Sequence, residues 1–289
     1  MKSILLAVIL ILYGSNLEAQ VRSFYVLNPK VKQGDTVVIA VNPQGQGSLV
    51  CISALKKQYV PNTNGYVFVG IPVDAEPTGT KKQRSNYTAS LVECGRGVSL
   101  DNIYQEFEVE KKNYSKTRTT GRGRSTRARK GSEVNAINKA FSASNLESDM
   151  TQGLAFSEPA DSGDVIDPYG LIYKNNGKLT HNGPDFRLPI GTSIKAVNGG
   201  KVVLVARNFS KEGNMIIINH GRGIYSVYMH LSRIEIAQNQ LVQRGQIIAL
   251  SGDTGAGVRE PHLHFSIKIN GIYVDPLIFL DTVNQYLTR

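Results

Sequence analysis

The chain consists largely of short apolar runs closed by glycine or asparagine, and this pattern restricts it to β architectures. Between Pro189 and Asp275 the runs are rich in Val and Ile and show no helical period. Short β-branched runs bounded by turn residues are typical of strands. We therefore predict an all-β fold, in which residues 154–289 form a separate all-β domain.

The amino-terminal part repeats this pattern less regularly. Runs such as residues 36–41 and 66–71 alternate with turn segments that contain Gly, Asn or Pro. Six or seven strands in about 90 residues favour a β-sandwich of immunoglobulin-like size over residues 21–111. This part contains no histidine, so we expect it to be a spacer or a binding module rather than a catalytic domain.

One basic segment accounts for the net charge of +10. Nine Lys and Arg residues lie between Lys111 and Lys130; removing them from the 33 basic residues leaves 24 against 23 acidic residues. We predict that residues 112–153 form an exposed linker with a short helix over 133–146. An anionic envelope polymer is a second interpretation of the charge. A nucleic-acid binder is excluded because the charge is confined to this linker.

The first twenty residues resemble an export signal. Lys2 precedes nine apolar residues over 4–12, about half of the ~20 that a membrane span requires. We predict a signal peptide over 1–20, no membrane-spanning segment, and a protein exported to the periplasm or the cell envelope. The alternative is a buried first strand or helix.

The two cysteines, Cys51 and Cys94, both lie in runs that we interpret as strands. An oxidising compartment would permit a bridge between them. Two buried free thiols are the alternative, because the sequence does not show how close their Cα atoms come.

All five histidines lie in the last 110 residues. Imidazole is both a common zinc ligand and the side chain best suited to acid–base work near neutral pH. The clustering therefore places any chemistry in the carboxyl-terminal domain.

The run Pro261-His-Leu-His-Phe predicts a strand that carries two imidazoles on one face. Residues two apart on a strand point the same way and lie about 6–7 Å apart at Cα. His262 and His264 can therefore reach one small site. Taken alone, the pattern is equally compatible with an exposed pair that has no role.

The segment His181-Asn-Gly-Pro-Asp185 is predicted to form a turn, because Gly183 and Pro184 disfavour a helix. An imidazole and a carboxylate from this turn, with a histidine from the later strand, would give the three protein ligands typical of catalytic zinc. The alternative is a turn in which Asp185 only caps backbone N–H groups. His220, beside two glycines, is interpreted as structural.

Four motifs occur in one order: His181-x-x-x-Asp185, Tyr228-x-His230-Leu-Ser, Thr254-Gly and the Pro-His-Leu-His-Phe run. Together they resemble the lysostaphin/LytM-type zinc endopeptidases that cut peptidoglycan, over residues 155–285. The resemblance implies a compact antiparallel β domain that binds one Zn²⁺ per chain through His181, Asp185 and His264. It also implies that His262 and His230 are catalytic histidines that do not bind the metal. The amino-terminal part resembles the immunoglobulin-like domain that precedes some of these peptidases.

The resemblance implies a zinc metalloendopeptidase that hydrolyses peptide bonds in the stems or cross-links of peptidoglycan. The alternative function is a non-catalytic envelope protein that binds peptidoglycan or activates a wall amidase. We further expect the amino-terminal domain to position or regulate the enzyme, with the basic linker leaving it free to swing.

Overall fold

The computed structural model describes residues 23–42, 50–115, 128–142, 148–172 and 181–287. Most elements in these ranges are β-strands, which confirms the all-β class, although two short helices are also present. The predicted signal peptide and residues 116–127 of the basic segment lie outside the described residues. None of the helices in the described ranges is long and apolar enough to cross a membrane.

The amino-terminal part contains two sheets that share one buried hydrophobic cluster. The first sheet has the order β1-β3-β6 and the second the order β2-β8-β7-β4-β5. Their bounds are β1 Ser23–Val26, β2 Lys30–Lys32, β3 Thr36–Asn42, β4 Val50–Ala54, β5 Lys57–Tyr59, β6 Tyr66–Gly70, β7 Tyr87–Glu93 and β8 Ser99–Glu110. This arrangement fits the predicted sandwich, whereas the immunoglobulin-like resemblance stays a prediction.

Cys51 and Cys94 form a disulfide. Cys51 lies in β4, and Cys94 directly follows its antiparallel neighbour β7, so that the two Cα atoms are 5.0 Å apart. The bridge, rather than the pair of free thiols, is therefore the arrangement that the strand pairing produces.

The carboxyl-terminal part contains one large antiparallel sheet, with the order β16-β12-β13-β14-β18-β10-β9 and β19 paired to β18, and a small sheet β11-β17-β15. The strands are β9 Asp164–Asp167, β10 Asp185–Arg187, β11 Ser193–Lys195, β12 Gly200–Phe209, β13 Gly213–Asn219, β14 Ile224–Leu231, β15 Arg233–Ile234, β16 Leu241–Val242, β17 Ile247–Leu250, β18 His262–Ile269 and β19 Ile272–Val274.

The two faces of the large sheet have different neighbours. On β18, Leu263 and Phe265 point into the main core, whereas His264 points to the opposite face. The helix α1 (Gly131–Ala140) packs on this second face, where Ala140 belongs to a cluster with apolar side chains of β12, β13 and β14. The Phe141 ring, which follows α1, lies edge-on to Tyr225 at 5.3 Å. Helix α1 therefore covers the same face of the sheet that carries the histidines.

The helix α2 (Pro276–Asn284) joins the two halves of the molecule. The Asp275 side chain accepts a hydrogen bond from the Leu277 N–H and caps the helix. The ring of Phe279 packs against Phe68 of β6 at 6.2 Å, and Lys112 forms an ion pair with Asp275 at 3.1 Å. The expectation of a freely swinging amino-terminal domain is wrong, because buried aromatic side chains from both halves pack together.

Candidate active site

The pairing of β10 with β18 builds the centre of the site. Asp185 lies directly opposite His264, and His181 reaches the same point through the Asn-Gly-Pro turn. A Cβ atom at Gly183 would collide with the Phe265 carbonyl oxygen, so only glycine allows the turn to come this close to β18. Ligand atoms of His181, Asp185 and His264 all lie within 4.8 Å of one another.

The contacts within this group converge on one carboxylate oxygen. Asp185 Oδ1 lies 3.1 Å from His181 Nε2 and 2.8 Å from His264 Nδ1. All three side chains are buried, with 5–7% of their surface exposed. Burial would raise the pKa of the Asp185 carboxyl, but its contacts with the two rings hold that pKa below its usual range. Asp185 is therefore a carboxylate at neutral pH.

The outer nitrogens of both rings have hydrogen-bond partners. His181 Nδ1 donates to the Pro168 carbonyl oxygen at 2.8 Å, and His264 Nε2 donates to Asn182 Oδ1 at 3.1 Å. His264 Nε2 also lies 2.9 Å from the Ser266 hydroxyl. Hydrogen bonds of this kind fix the tautomer of a metal-binding histidine and orient its ring.

This hydrogen-bonding pattern fits a cation. A positive ion would take the place of the ring N–H groups beside the Asp185 oxygen, because a neutral ring that carries its proton on the outer nitrogen has an unshared electron pair on the inner one. Burial lowers the pKa of His264, which favours the neutral form. Two imidazoles and one carboxylate are a donor set that Zn²⁺ commonly takes in catalytic sites.

His262 and His230 lie beside this group. His262 Nε2 is 3.7 Å from Asp185 Oδ2, and the ring centroids of His230 and His262 are 4.7 Å apart. His262 Nδ1 donates to the Glu260 carbonyl oxygen and His230 Nδ1 to that of Thr254, each at 2.8 Å. The Nε2 atom of each ring is therefore free of these backbone contacts.

His230 also has an unusual backbone. Its φ of 65° lies in the left-handed region, and its N–H donates to the Glu212 carbonyl oxygen at 3.0 Å. Non-glycine residues occupy this region at some energetic cost, and such residues are frequent at functional sites. Burial, followed by the nearby rings of His262 and His264, lowers the pKa of His230 to about 3.

His220 is separate from this group and structural. Its Nδ1 contacts the Gly199 carbonyl oxygen at 2.7 Å and its Nε2 contacts the Ser226 hydroxyl at 2.8 Å. Burial lowers the pKa of His220 to about 4. The structure thus brings four of the five histidines to one site, together with Asp185.

Sequence reasoning missed two features near the site, the contact of Asn182 with His264 and the surface that helix α1 covers. Asn182 lies inside the motif His181-Asn-Gly-Pro-Asp185. Its position directly after a candidate ligand was the sequence signal that could have indicated a contact with the site. For α1 the apolar period predicted a helix, but nothing in the period indicated the surface that the helix covers.

Comparison with known proteins identifies this region. Residues 179–276 match the profile of Peptidase family M23. This part of the chain is a peptidase M23 domain. The matched range contains all five residues of the site, so the geometry and the family assignment concern the same part of the molecule.

The M23 domain has curated relatives in several bacteria. It is 45% identical over 106 residues to the peptidoglycan DD-endopeptidase ShyA of Vibrio cholerae, a match that covers 37% of this chain and 24% of that protein. It is 38% identical over 110 residues to lysostaphin of Staphylococcus simulans, covering 36% of this chain and 22% of lysostaphin. The chain thus spans about a quarter of the length of these relatives.

A crystal structure of a candidate peptidase M23 from Pseudomonas aeruginosa resembles most of the chain. The two share 25% identity with a TM-score of 0.63, over 88% of this chain and 96% of that chain. The likeness therefore extends beyond the M23 domain to much of the amino-terminal half.

Proposed function

We propose that the protein is a zinc metalloendopeptidase that hydrolyses peptide bonds in the stems or cross-links of bacterial peptidoglycan. The observation that carries this proposal is the convergence of His181, Asp185 and His264 within 4.8 Å, inside the M23 domain. The printed activity of ShyA, a peptidoglycan DD-endopeptidase, supports the substrate class.

Zinc would be held by His181 Nε2, Asp185 Oδ1 and His264 Nδ1, one ion per chain. When bound, zinc supplies Lewis-acid polarisation of a carbonyl group and lowers the pKa of water towards neutrality. Asp185 contributes the negative charge of the site, and its burial keeps competing water away. The partners of the outer ring nitrogens hold both imidazoles in the neutral, ligating form.

His262 and His230 would handle the protons of the reaction. Since Nδ1 of each ring donates to a backbone carbonyl, Nε2 is the atom of each ring that is available to the attacking water. His262 Nε2 would accept the proton of this water and deliver it to the leaving amine of the cut peptide. His230, which its lowered pKa keeps neutral, would accept a hydrogen bond from the water and orient it. The fixed backbone around His230 keeps that nitrogen in place through the cycle.

The proposal includes export to the periplasm or cell envelope, where peptidoglycan lies. The Cys51–Cys94 disulfide supports this placement, because disulfides persist mainly in oxidising compartments. The basic segment between Lys111 and Lys130 would add attraction to an anionic envelope polymer, an attraction that salt screens beyond ~8 Å at physiological strength.

The test combines zinc analysis with the clearing of purified peptidoglycan. The wild-type protein should carry one zinc per chain and clear the suspension, and Asp185→Ala should do neither. Asp161→Ala serves as the matched control, because the Asp161 side chain is 82% exposed and pairs with Lys195 away from the site. Zinc-loaded wild-type protein that binds the wall without clearing it would instead favour the non-catalytic alternative.

A further inference from the structure

The turn over residues 168–172 forms two hydrogen bonds with His181. His181 Nδ1 donates to the Pro168 carbonyl oxygen, and the Gly170 N–H donates to the His181 carbonyl oxygen, each at 2.8 Å. A carbonyl oxygen only accepts, so the proton of the neutral His181 ring lies on Nδ1, and Nε2 faces Asp185 Oδ1 at 3.1 Å. The position of this turn therefore sets both the orientation and the tautomer of a candidate zinc ligand.

The ring of Tyr114 packs directly on this turn. A Cβ atom at Gly170 would lie 2.2 Å from Cδ1 of Tyr114, so only a glycine lets the ring come this close. The same ring lies edge-on to Tyr169 at 6.2 Å, and the Ile172 N–H donates to the Ser115 carbonyl oxygen at 2.9 Å. The residues that follow β8 thus cover the turn that holds His181.

Residues 112–115 are in turn anchored on the amino-terminal half. The Tyr114 hydroxyl donates to the Gln33 carbonyl oxygen at 2.5 Å, and the Lys112 N–H donates to Gln33 Oε1 at 3.1 Å. The Lys112 ammonium pairs with Asp35 at 3.4 Å and with Asp275 at 3.1 Å, and only 16–24% of these three side chains is exposed. The loop between β2 and β3 therefore holds Tyr114 against the turn.

The turn has a second support on the peptidase side. Tyr169 is buried, and its hydroxyl donates to the Tyr273 carbonyl oxygen at 2.9 Å. This bond fixes the turn to β19, whereas Tyr114 closes the face of Gly170. Whether Tyr169 suffices without Tyr114 is a question that a substitution at Tyr114 answers.

We propose that Tyr114 is a positioning residue through which the amino-terminal half holds His181 in its zinc-binding orientation. Tyr114 touches neither the metal nor the substrate and acts through the turn over residues 168–172. This inference rests on the proposed function and extends its metal site across the boundary between the two halves of the molecule.

The experiment measures the zinc affinity of the full chain by competition with a chelator, with circular dichroism to show that each metal-free variant is folded. Tyr114→Ala removes the ring from Gly170 and should weaken zinc binding about 10-fold, the lower end of the usual effect of losing a group that orients a metal ligand. Tyr114→Phe keeps the ring and loses only the hydrogen bond to Gln33, so its affinity should stay within about 3-fold of wild type.

Tyr87→Ala is the matched control for the loss of a tyrosine ring. Tyr87 lies in the amino-terminal half, where its ring stacks on Phe107 at 5.6 Å. Its removal should lower the stability of that half and leave zinc affinity unchanged. If Tyr114→Ala does not fold, Tyr114→Leu takes its place, with a larger loss of affinity expected than in Tyr114→Phe.

Wild-type zinc affinity in the folded Tyr114→Ala or Tyr114→Leu protein would overturn the inference, since Tyr169 would then hold the turn alone. An equal loss in Tyr87→Ala would also overturn it, because the effect would then reflect general stability. A wild-type protein without zinc affinity would refute the proposed function itself.

Discussion

At the scale of single residues, the site depends on which nitrogen of each imidazole carries the proton. His230→Ala should keep the zinc, because the proposed ligands are three other side chains. Turnover should fall by ~10²–10⁴, the usual size of a general acid–base contribution. Zinc content after dialysis and steady-state hydrolysis of a soluble peptide are the two measurements. A variant that loses its zinc would make His230 a ligand instead.

His220 makes the stability of the fold depend on pH. Burial lowers its pKa to about 4, against about 6.5 in the unfolded chain. Between these values the unfolded state binds more protons, so the stability that His220 contributes is complete above pH 6.5 and is lost as the pH falls towards 4. His220→Asn, which cannot titrate, should be less stable than wild type at pH 7, and the difference should shrink by about 2 kcal/mol at pH 5.

Denaturant unfolding at both pH values measures this difference. Asn198→Ala is the control, since Asn198 is a buried, non-titrating side chain that hydrogen-bonds the Leu154 carbonyl oxygen. The free energy of unfolding that Asn198→Ala loses relative to wild type should be the same at pH 7 and pH 5. If His220→Asn loses the same free energy of unfolding at both pH values, His220 is not buried in the neutral form.

The residue identities of the site could be predicted from the sequence, because His181, Asp185 and His264 belong to compact motifs. Their hydrogen-bond partners could not. The carbonyl groups of Pro168 and Thr254 fix the His181 and His230 rings, and backbone groups far along the chain have no sequence signal of their own. The metal and catalytic roles of these residues stay predictions.

At the scale of elements, α1 depends on one buried carboxylate. Glu133 Oε1 accepts hydrogen bonds from the Ser210 N–H and hydroxyl, each at 2.9 Å, and Oε2 accepts one from the Lys130 N–H at 2.9 Å. Glu133→Ala removes the helix cap and leaves the buried Ser210 N–H without this acceptor. Amide hydrogen exchange over residues 131–142 should become faster, while the rest of the large sheet stays protected.

Lys139→Ala is the control on the same helix, because Lys139 is exposed. It should leave the exchange rates of α1 unchanged. Unaltered exchange in Glu133→Ala would mean that apolar packing of α1 on the sheet holds the helix without this carboxylate.

Sequence patterns predicted these elements unevenly. The period through Ile137 and Ala140 indicated α1, and the helix is present over Gly131–Ala140. Helix α2 was missed because its apolar residues lie within a chain that otherwise forms strands, although Asp275-Pro276 is a recognisable helix start. Which face of a sheet a helix covers depends on side chains from distant strands, so it could not be predicted from either local pattern.

At the scale of the whole molecule, the two halves share part of their core. Phe279 is fully buried between Phe68 of the amino-terminal part and Phe156, with ring centroids at 6.2 and 5.0 Å. Phe279→Ala should lower the free energy of unfolding by about 3–5 kcal/mol. Leu277→Ala on the same helix should change it by less than about 0.5 kcal/mol, because Leu277 is 36% exposed.

Both halves should unfold in one transition, which intrinsic fluorescence and circular dichroism would report at the same denaturant concentration. Two separate transitions, of which Phe279→Ala shifts only one, would mean that the halves fold independently. The sequence predicted two domains but not this interface, because the basic composition of the segment between them indicated a free linker.

The most direct test of the central claim is mass spectrometry of the fragments released from purified peptidoglycan. The zinc-loaded protein should release stem-peptide fragments that each gain one water at a peptide bond, and Asp185→Ala should release none. Fragments cut only in the glycan strands or at the amide between glycan and peptide, or a wall left intact by zinc-loaded protein, would contradict the proposed endopeptidase.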